Sequence, residues 1–143
     1  MSLEILIALA DETLAEKYTR FFRNSGFRVA QAWNGLDCWD SVQRLRPDAV
    51  ILDEPLLWGG GDGVVARLRE DLSDAGIPVV MLDANRAEPE FSDTRLEAEE
   101  AFPIVARFPT SYRLSAVLNA LVAGLRDFRP VTSWDRSEQL AVV

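Results

Sequence analysis

The chain contains 143 residues, 48% of them hydrophobic, and this length and composition fit one globular domain with its own core and exclude a disordered chain. Asp and Glu outnumber Lys and Arg by 23 to 15, which gives a formal net charge of −8 and argues against nucleic acid as a partner. The absence of histidine excludes histidine-based catalysis, and the single cysteine, Cys38, cannot form an internal disulfide and fits a reducing cytoplasm. No segment is apolar enough to span a bilayer or to serve as a secretion signal, so no membrane partner is expected.

The first part of the chain alternates apolar runs with helical patterns. Residues 3–10 form an apolar run that is short enough for a buried strand, and it ends at Asp11-Glu12. Apolar residues then recur at helical spacing until Asn24-Ser25-Gly26, which are residue types that end helices. Residues 27–32 predict a second strand, and Asn34 can cap a second helix.

The most informative stretch is residues 49–63, where a third apolar run ends in Asp53. The run is bounded by Pro47 and Gly59 and has the length of a strand that is buried on both faces. Ligands of open parallel α/β sheets bind outside the carboxyl ends of the strands, so Asp53 is a candidate nucleophile or metal ligand. The alternative is that Asp53 caps a turn or a helix locally.

Glycine and aspartate mark the elements in the middle of the chain. Gly59-Gly60-Gly61 predicts a turn, because no Lys-Ser/Thr pair follows it as in a phosphate-binding loop. Asp62-Gly63 then starts a third helix, which ends at Gly76-Ile77-Pro78. The fourth strand is predicted over residues 79–82, and Asp83 stands at its end.

The last third of the chain opens with the weakest pattern. Residues 85–101 carry six acids and little apolar periodicity, so we expect them to form the most irregular region. The fifth strand is predicted over residues 102–108, and an amphipathic helix over 114–125 has the clearest pattern in the chain. Residues 1–126 are expected to form one domain, and residues 127–143 a short tail without a second domain.

Five strands that alternate with helices predict an α/β fold, a flavodoxin-like doubly wound five-stranded parallel sheet with helices on both faces. With the strand order 2-1-3-4-5, strands one and three flank the point where the order reverses, so Asp11 or Glu12 would face Asp53 across one crevice. Asp83 would stand nearby at the end of strand four. Carboxylates gathered at one site repel each other unless a divalent cation or a proton intervenes, and Mg²⁺ is the natural cation.

Seven short stretches carry, by their order and spacing, a resemblance to a known family. They are Ile5-Leu6-Ile7 followed by acids, 24–29 (NSGFRV), 32–36 (AWNGL), 47–53 (PDAVILD), Asp62-Gly63, 77–82 (IPVVML) and Phe108-Pro109. Over residues 3–126 the chain resembles the CheY-like receiver domain of bacterial two-component response regulators. The resemblance implies a single-domain regulator without an output domain, whose Asp53 accepts a phosphoryl group from a sensor histidine kinase or a phosphotransfer protein.

The chain departs from the family at the metal site. The family places two acids at the end of strand one to hold Mg²⁺, and an ungapped reading puts Leu9 and Ala10 there, with Asp11 slightly too late. A one-residue bulge would bring Asp11 into place. The resemblance then implies a weak Mg²⁺ site formed by Asp11, Asp53 and the backbone carbonyl of Pro55.

Three other family positions are substituted. The Thr or Ser that senses the phosphoryl group at the end of strand four is Asp83, which adds negative charge. The Lys that pairs with the phosphoryl oxygens is Phe108, and the neighbouring Arg107 is expected to point to the opposite side of its strand. The aromatic switch position is Val105. We therefore expect slow phosphorylation of Asp53 and a small conformational response.

Two other interpretations stay open. The first is a pseudo-receiver that acts as a phosphate-independent interaction module, with another regulator or a second copy docked on the last strand and helix, near Tyr112 and Arg113. The second is a Mg²⁺-dependent phosphatase of the haloacid dehalogenase type, which also starts from a strand-terminal Asp. Such an enzyme needs another Asp two residues later, where this chain has Pro55. The preferred interpretation is a cytoplasmic, non-enzymatic receiver.

Overall fold

A computed structural model of the protein describes residues 2–56, 60–72, 75–91 and 102–128. This part of the chain forms six strands and four helices. In chain order they are β1 (Glu4–Ala8), α1 (Glu12–Asn24), β2 (Arg28–Ala32), α2 (Gly35–Leu45), β3 (Ala49–Asp53), α3 (Gly60–Asp71), β4 (Val79–Asp83), β5 (Glu90–Phe91), β6 (Ile104–Pro109) and α4 (Leu114–Phe128). None of these helices combines the length and the apolar character needed to cross a membrane.

The strands form one sheet in the order β2-β1-β3-β4-β6-β5. The pairs from β2 to β6 are all parallel, and β5 pairs antiparallel with β6 at the edge. The predicted flavodoxin-like sheet is therefore confirmed, with β6 as its fifth parallel strand. The pairing of β1 is in continuous register, whereas an irregularity between Val79 and Val80 shifts the pairing of β4 with β6.

The short edge strand β5 is not predicted by the sequence. It consists of Glu90 and Phe91, which lie opposite Arg107 and Ala106 of β6. Both β5 side chains are exposed, so no alternation of apolar and polar residues marks the strand. Residues 92–101, which complete the region expected to be irregular, lie outside the described residues.

Helices cover both faces of the sheet. Ile5 and Ile7 of β1 pack in the layer of α1 and α4, whereas Leu6 and Ala8 pack in the layer of α2 and α3. Every residue of β3 is buried, because this strand lies inside the sheet and between both layers. Cys38 is buried in the layer of α2 and α3, so its thiol is part of the core.

Helix α3 begins at Gly60, earlier than the predicted start at Asp62. The turn predicted at this point is therefore a helical turn for Gly60 and Gly61, and Gly59 lies outside the described residues. A Cβ atom on Gly61 would lie 2.8 Å from the backbone oxygen of Asp53. Glycine thus permits the start of α3 to approach the end of β3 closely.

Candidate functional site

Asp53 ends β3 at the carboxyl edge of the sheet. Only 6% of the residue is exposed, and it is the one buried carboxylate among the described residues. Strand β1 lies beside β3, so the chain that leaves β1 passes close to Asp53. The N–H of Ala10 donates to Oδ2 of Asp53 over 3.1 Å. The backbone after β1 therefore holds one oxygen of this carboxylate in place.

Burial raises the pKa of Asp53 above its usual value, because the charged carboxylate loses water. The hydrogen bond from Ala10 lowers this pKa, whereas the negative charges of Asp11 and Asp83 raise it. Of the neighbours Asp11 and Glu12, Asp11 is thus the one whose charge reaches Asp53. The fold brings together Asp11, which follows strand one, Asp53 at the end of strand three and Asp83 at the end of strand four. Their repulsion favours a cation or a proton beside Asp53.

Asp11 is the N-cap of α1. Its Oδ1 accepts the backbone N–H groups of Thr13 and Leu14 at 2.8 and 3.2 Å, which stabilises the start of the helix. Strand β1 ends at Ala8 in continuous register, so its paired residues contain no bulge that would shift Asp11 into the family's position. Asp11 therefore acts on Asp53 by its charge, from the helix start.

A metal site at this edge would rest on few protein ligands. The described residues contain no cluster of three or more side chains suited to hold a metal ion. Mg²⁺ is often bound by one or two carboxylates and keeps several waters. Asp11 and Asp53 fit that kind of site, since each uses one oxygen for backbone N–H groups and faces the other's charge. The weak site formed by these two acids and the carbonyl of Pro55 stays a prediction.

The substituted position Asp83 shares its surroundings with Glu54. Asp83 ends β4, and its Oδ1 accepts the N–H of Asn85 over 2.9 Å. Partial burial raises the pKa of Glu54, and the negative charges of Asp83 and Asp62 raise it further, whereas the Arg107 guanidinium lowers it. Glu54 is a residue that sequence reasoning missed, although its position directly after Asp53 is a signal that could have identified it.

Phe108 is an apolar residue at the position where the resemblance implies a lysine. Its side chain is fully buried in the core. Its ring meets Phe91 edge-on and Tyr112 at a tilt, and both centroids lie 5.5 Å away. Val105, at the aromatic switch position, packs partly buried against the same core. Phe108 therefore joins Phe91 of β5 and Tyr112 in an aromatic cluster, and its side chain supplies no ammonium group.

Arg107 contacts two acids from distant parts of the chain. It precedes Phe108 on β6, so the two side chains are expected on opposite sides of the strand. The Nη1 atom of Arg107 lies 3.9 Å from Oε1 of Glu54, and its Nε atom lies 3.7 Å from Oε1 of Glu90. Sequence reasoning missed these ion pairs because both acids lie far from Arg107 along the chain.

Tyr18 of α1 is a second group whose role sequence reasoning missed, because it fits the apolar spacing of that helix. It is 1% exposed, and its hydroxyl has no hydrogen-bond partner among the described residues. Burial raises the pKa of Tyr18 to about 12, and the negative charge of Asp53 contributes. Helical side chains lean toward the N-terminus of their helix, so Tyr18 leans toward the edge of the sheet where α1 begins.

The chain is similar in sequence to response regulators. No protein-family model matches the chain. It is 39% identical over 84 residues to the DNA-binding response regulator MtrA of Mycobacterium tuberculosis. The aligned residues make up 59% of this chain and 36% of MtrA. It is 31% identical over 138 residues to the transcriptional regulatory protein PrrA of Mycobacterium leprae. These aligned residues make up 96% of this chain and 56% of PrrA. The chain thus spans less than two thirds of either relative.

A solved structure agrees with the fold. The receiver domain of a sensor histidine kinase from Pseudomonas aeruginosa, which has a magnesium ion coordinated in its active site cleft, is 19% identical and matches with a TM-score of 0.72. The match covers 89% of this chain and 100% of that domain. Response regulators are thus its relatives in sequence, receiver domains are its neighbours in structure, and Asp53 ends its third strand. The chain is a response-regulator receiver domain of the CheY-like fold.

Proposed function

We propose that this receiver domain acts in two-component signal transduction and that Asp53 is its phosphoacceptor. The observation that carries the proposal is a carboxylate buried at the carboxyl end of β3, where one backbone N–H holds it and two acids repel it. Burying a carboxylate in this way lowers stability, so a chemical role accounts for its position better than a structural one. The phosphodonor would be a sensor histidine kinase or a phosphotransfer protein, since this chain has no histidine.

In the proposed reaction, a carboxylate oxygen of Asp53 attacks the phosphorus atom of the donor. A P–O bond to Asp53 forms while the bond from phosphorus to the leaving group breaks, and the leaving group departs with the electron pair. The N–H of Ala10 orients the carboxylate through Oδ2. A bound Mg²⁺ would neutralise charge between the phosphoryl group and the carboxylates of Asp11 and Asp53.

The substituted positions predict slow transfer and a small response. Electrostatic stabilisation is the main contribution that proteins make to phosphoryl transfer. Phe108 supplies no charge, and Asp83 adds a negative one. The phosphoryl group itself brings about −1.5 to −2 charge units to a site that already holds three acids. Transfer from small donors should therefore be slow.

Incubation with acetyl phosphate and Mg²⁺, followed by mass spectrometry of the intact protein, tests the proposal. The wild type should slowly gain one phosphoryl group, and Asp53→Asn should gain none. Asp11→Asn keeps a good helix cap but removes one of the two carboxylates that would hold Mg²⁺, so it should react more slowly still. Modification that persists in Asp53→Asn would contradict the assignment of the phosphoacceptor. Rapid modification with a large conformational change would contradict the prediction of a degenerate site.

A phosphate-independent interaction module is the second candidate function. It is favoured by the aromatic cluster of Phe91, Phe108 and Tyr112 at the position where the family has a cation. The wild type would then be inert toward acetyl phosphate and beryllofluoride. The partner would be another regulator or a second copy of this chain. Light scattering of the wild type and of Tyr112→Ala distinguishes self-association from binding to another regulator.

We further propose protein partners, and neither nucleic acid nor an enzymatic substrate, for the residues of this chain. Its net charge of −8 opposes binding to a polyanion. DNA binding is named for MtrA, of which this chain spans 36%. A phosphatase of the type considered above needs a second Asp at the position of Pro55. These features support a receiver that passes on a signal by contact.

A further inference from the structure

Arg107 joins three separate elements near the Asp53 site. Its guanidinium contacts Glu54, which lies in the turn after β3, and Glu90, which lies on the edge strand β5, at 3.9 and 3.7 Å. The Arg107 side chain is 25% exposed, so solvent screens these pairs only in part. One cation thus connects the residue next to the phosphoacceptor with the edge of the sheet.

The charges around Glu54 indicate how this link would respond to phosphorylation. Asp83 and Asp62 both repel the Glu54 carboxylate, and Arg107 is the cation that stabilises it. A phosphoryl group on Asp53, one residue away, would add about −1.5 to −2 charge units beside this cluster. The attraction of Arg107 toward the Glu54 side would then increase, and its attraction to Glu90 would become the weaker of the two.

The contacts of edge strand β5 are weak enough to change if Arg107 moves from Glu90 toward Glu54. Strand β5 has two exposed residues, and Glu90 forms its ion pairs at 3.6 and 3.7 Å as partly exposed contacts, which are individually weak and exchange readily. Glu90 also pairs with Arg86 at 3.6 Å, so it would keep a cation after Arg107 moved away. The ring of Phe91 contacts Phe108, so a displaced β5 would alter the aromatic cluster as well.

We propose that Arg107 is a positioning residue that, through Glu54, supplies positive charge to the Asp53 site and relays added charge at that site to the edge strand β5. The proposal rests on the proposed function for the source of the added charge. The ionic link from Glu54 to Glu90 exists without it. This chain would then use an arginine from the other side of β6 in place of the cation that Phe108 does not supply.

Amide NMR with beryllofluoride and Mg²⁺, which together stand in for the phosphoryl group, tests the relay. Beryllofluoride should shift the amide signals of Glu90 and Phe91 in the wild type. Arg107→Gln should abolish those shifts and weaken beryllofluoride binding by about threefold, and Arg107→Lys should retain most of the affinity. Arg86→Gln is a matched control, because Arg86 is 27% exposed and pairs with Glu90 but not with Glu54. It should leave affinity and shifts unchanged.

A second arm needs no phosphoryl analogue. Glu54→Gln should shift the Glu90 amide in the wild-type background and leave it in place in the Arg107→Gln background. If beryllofluoride does not bind the wild type, the proposed role of Asp53 fails, while this arm still decides whether Arg107 links the two acids. The relay is overturned if Glu54→Gln leaves Glu90 unaffected, or if Arg86→Gln and Arg107→Gln act alike. If Arg107→Gln does not fold, Glu54→Gln and Glu90→Gln test the same link from its two ends.

Discussion

Asp53 shows at the scale of one residue what a buried charge does to stability. Its pKa is raised above 3.8, so the folded state holds the proton more tightly than the unfolded chain does. This contribution to stability is present below pH 3.8 and is lost as the pH rises through the folded-state pKa. We expect Asp53→Asn to raise the free energy of unfolding at neutral pH, because the substitution removes a buried charge. The amide is neutral, and its oxygen can still accept the N–H of Ala10.

Urea unfolding measures the difference in unfolding free energy between the wild type and Asp53→Asn. The measurement is made at neutral pH and at a pH below the pKa of free aspartate, where the difference should be smaller. Asp40→Asn is the control, because Asp40 is an exposed acid of α2 and should change stability little. If Asp53→Asn were less stable than the wild type at neutral pH, contacts of the charged carboxylate would outweigh the cost of its burial.

The hydroxyl of Tyr18 is buried and has no hydrogen-bond partner among the residues that the structure describes, so its removal should not lower stability. Tyr18→Phe should leave the free energy of unfolding unchanged or raise it by about 1 kcal/mol. Chemical denaturation measures this, and Tyr112→Phe, which changes the only other tyrosine, is the control. A clear loss of stability in Tyr18→Phe would mean that the hydroxyl forms a hydrogen bond.

The same residue predicts a pH dependence. The pKa of Tyr18 is raised from 10.0 to about 12, so the unfolded chain ionises at a lower pH than the folded protein. Stability should therefore fall between pH 10.0 and about 12. Tyr18→Phe should lose less stability over this range. Circular dichroism follows unfolding, and the ultraviolet absorbance of tyrosinate follows the ionisation of tyrosine.

At the scale of elements, the contact of α3 with the end of β3 depends on the missing side chain of Gly61. A methyl group there would lie 2.8 Å from the backbone oxygen of Asp53 and 3.1 Å from Sδ of Met81. Gly61→Ala should therefore lower stability by about 1–3 kcal/mol. In the same helix, a Cβ on Gly63 meets nothing within 4 Å, so Gly63→Ala should raise stability by up to about 1 kcal/mol. Thermal unfolding compares the two, and equal effects would contradict the close approach.

For the whole molecule, the repulsion among Asp11, Asp53 and Asp83 couples cation binding to folding. Mg²⁺ should raise the unfolding temperature, and a concentration ten times the dissociation constant should add about 1.4 kcal/mol of stability. Asp53→Asn should lose most of this response. Sodium chloride at matched ionic strength separates binding from general screening. An equal response to sodium chloride, or in Asp53→Asn, would exclude a site at Asp53.

The sequence by itself determined the succession of the helices and of the five parallel strands, and the position of Asp53. Apolar periodicity and capping residues act over a few neighbours, so they can be read locally. The cap at Asn34 is an example, since its side chain accepts the N–H of Asp37 over 2.8 Å, as predicted. The order of the five parallel strands did not follow from these local patterns. It was the order of the flavodoxin-like fold, one of the few arrangements that crossovers of one hand leave open, and the structure has it.

Only the tertiary structure decided which side chains meet at the edge of the sheet. The pairing of Arg107 with Glu54 and Glu90 depends on side chains that the sheet brings together from distant segments. The start of α3 at Gly60 depends on how closely Gly61 can approach Asp53. The Tyr18 hydroxyl, which has no hydrogen-bond partner within the described part of the chain, depends on what surrounds it in the core. Contacts of this kind leave no periodic trace in the sequence, because they are set by distances between residues that are far apart along the chain.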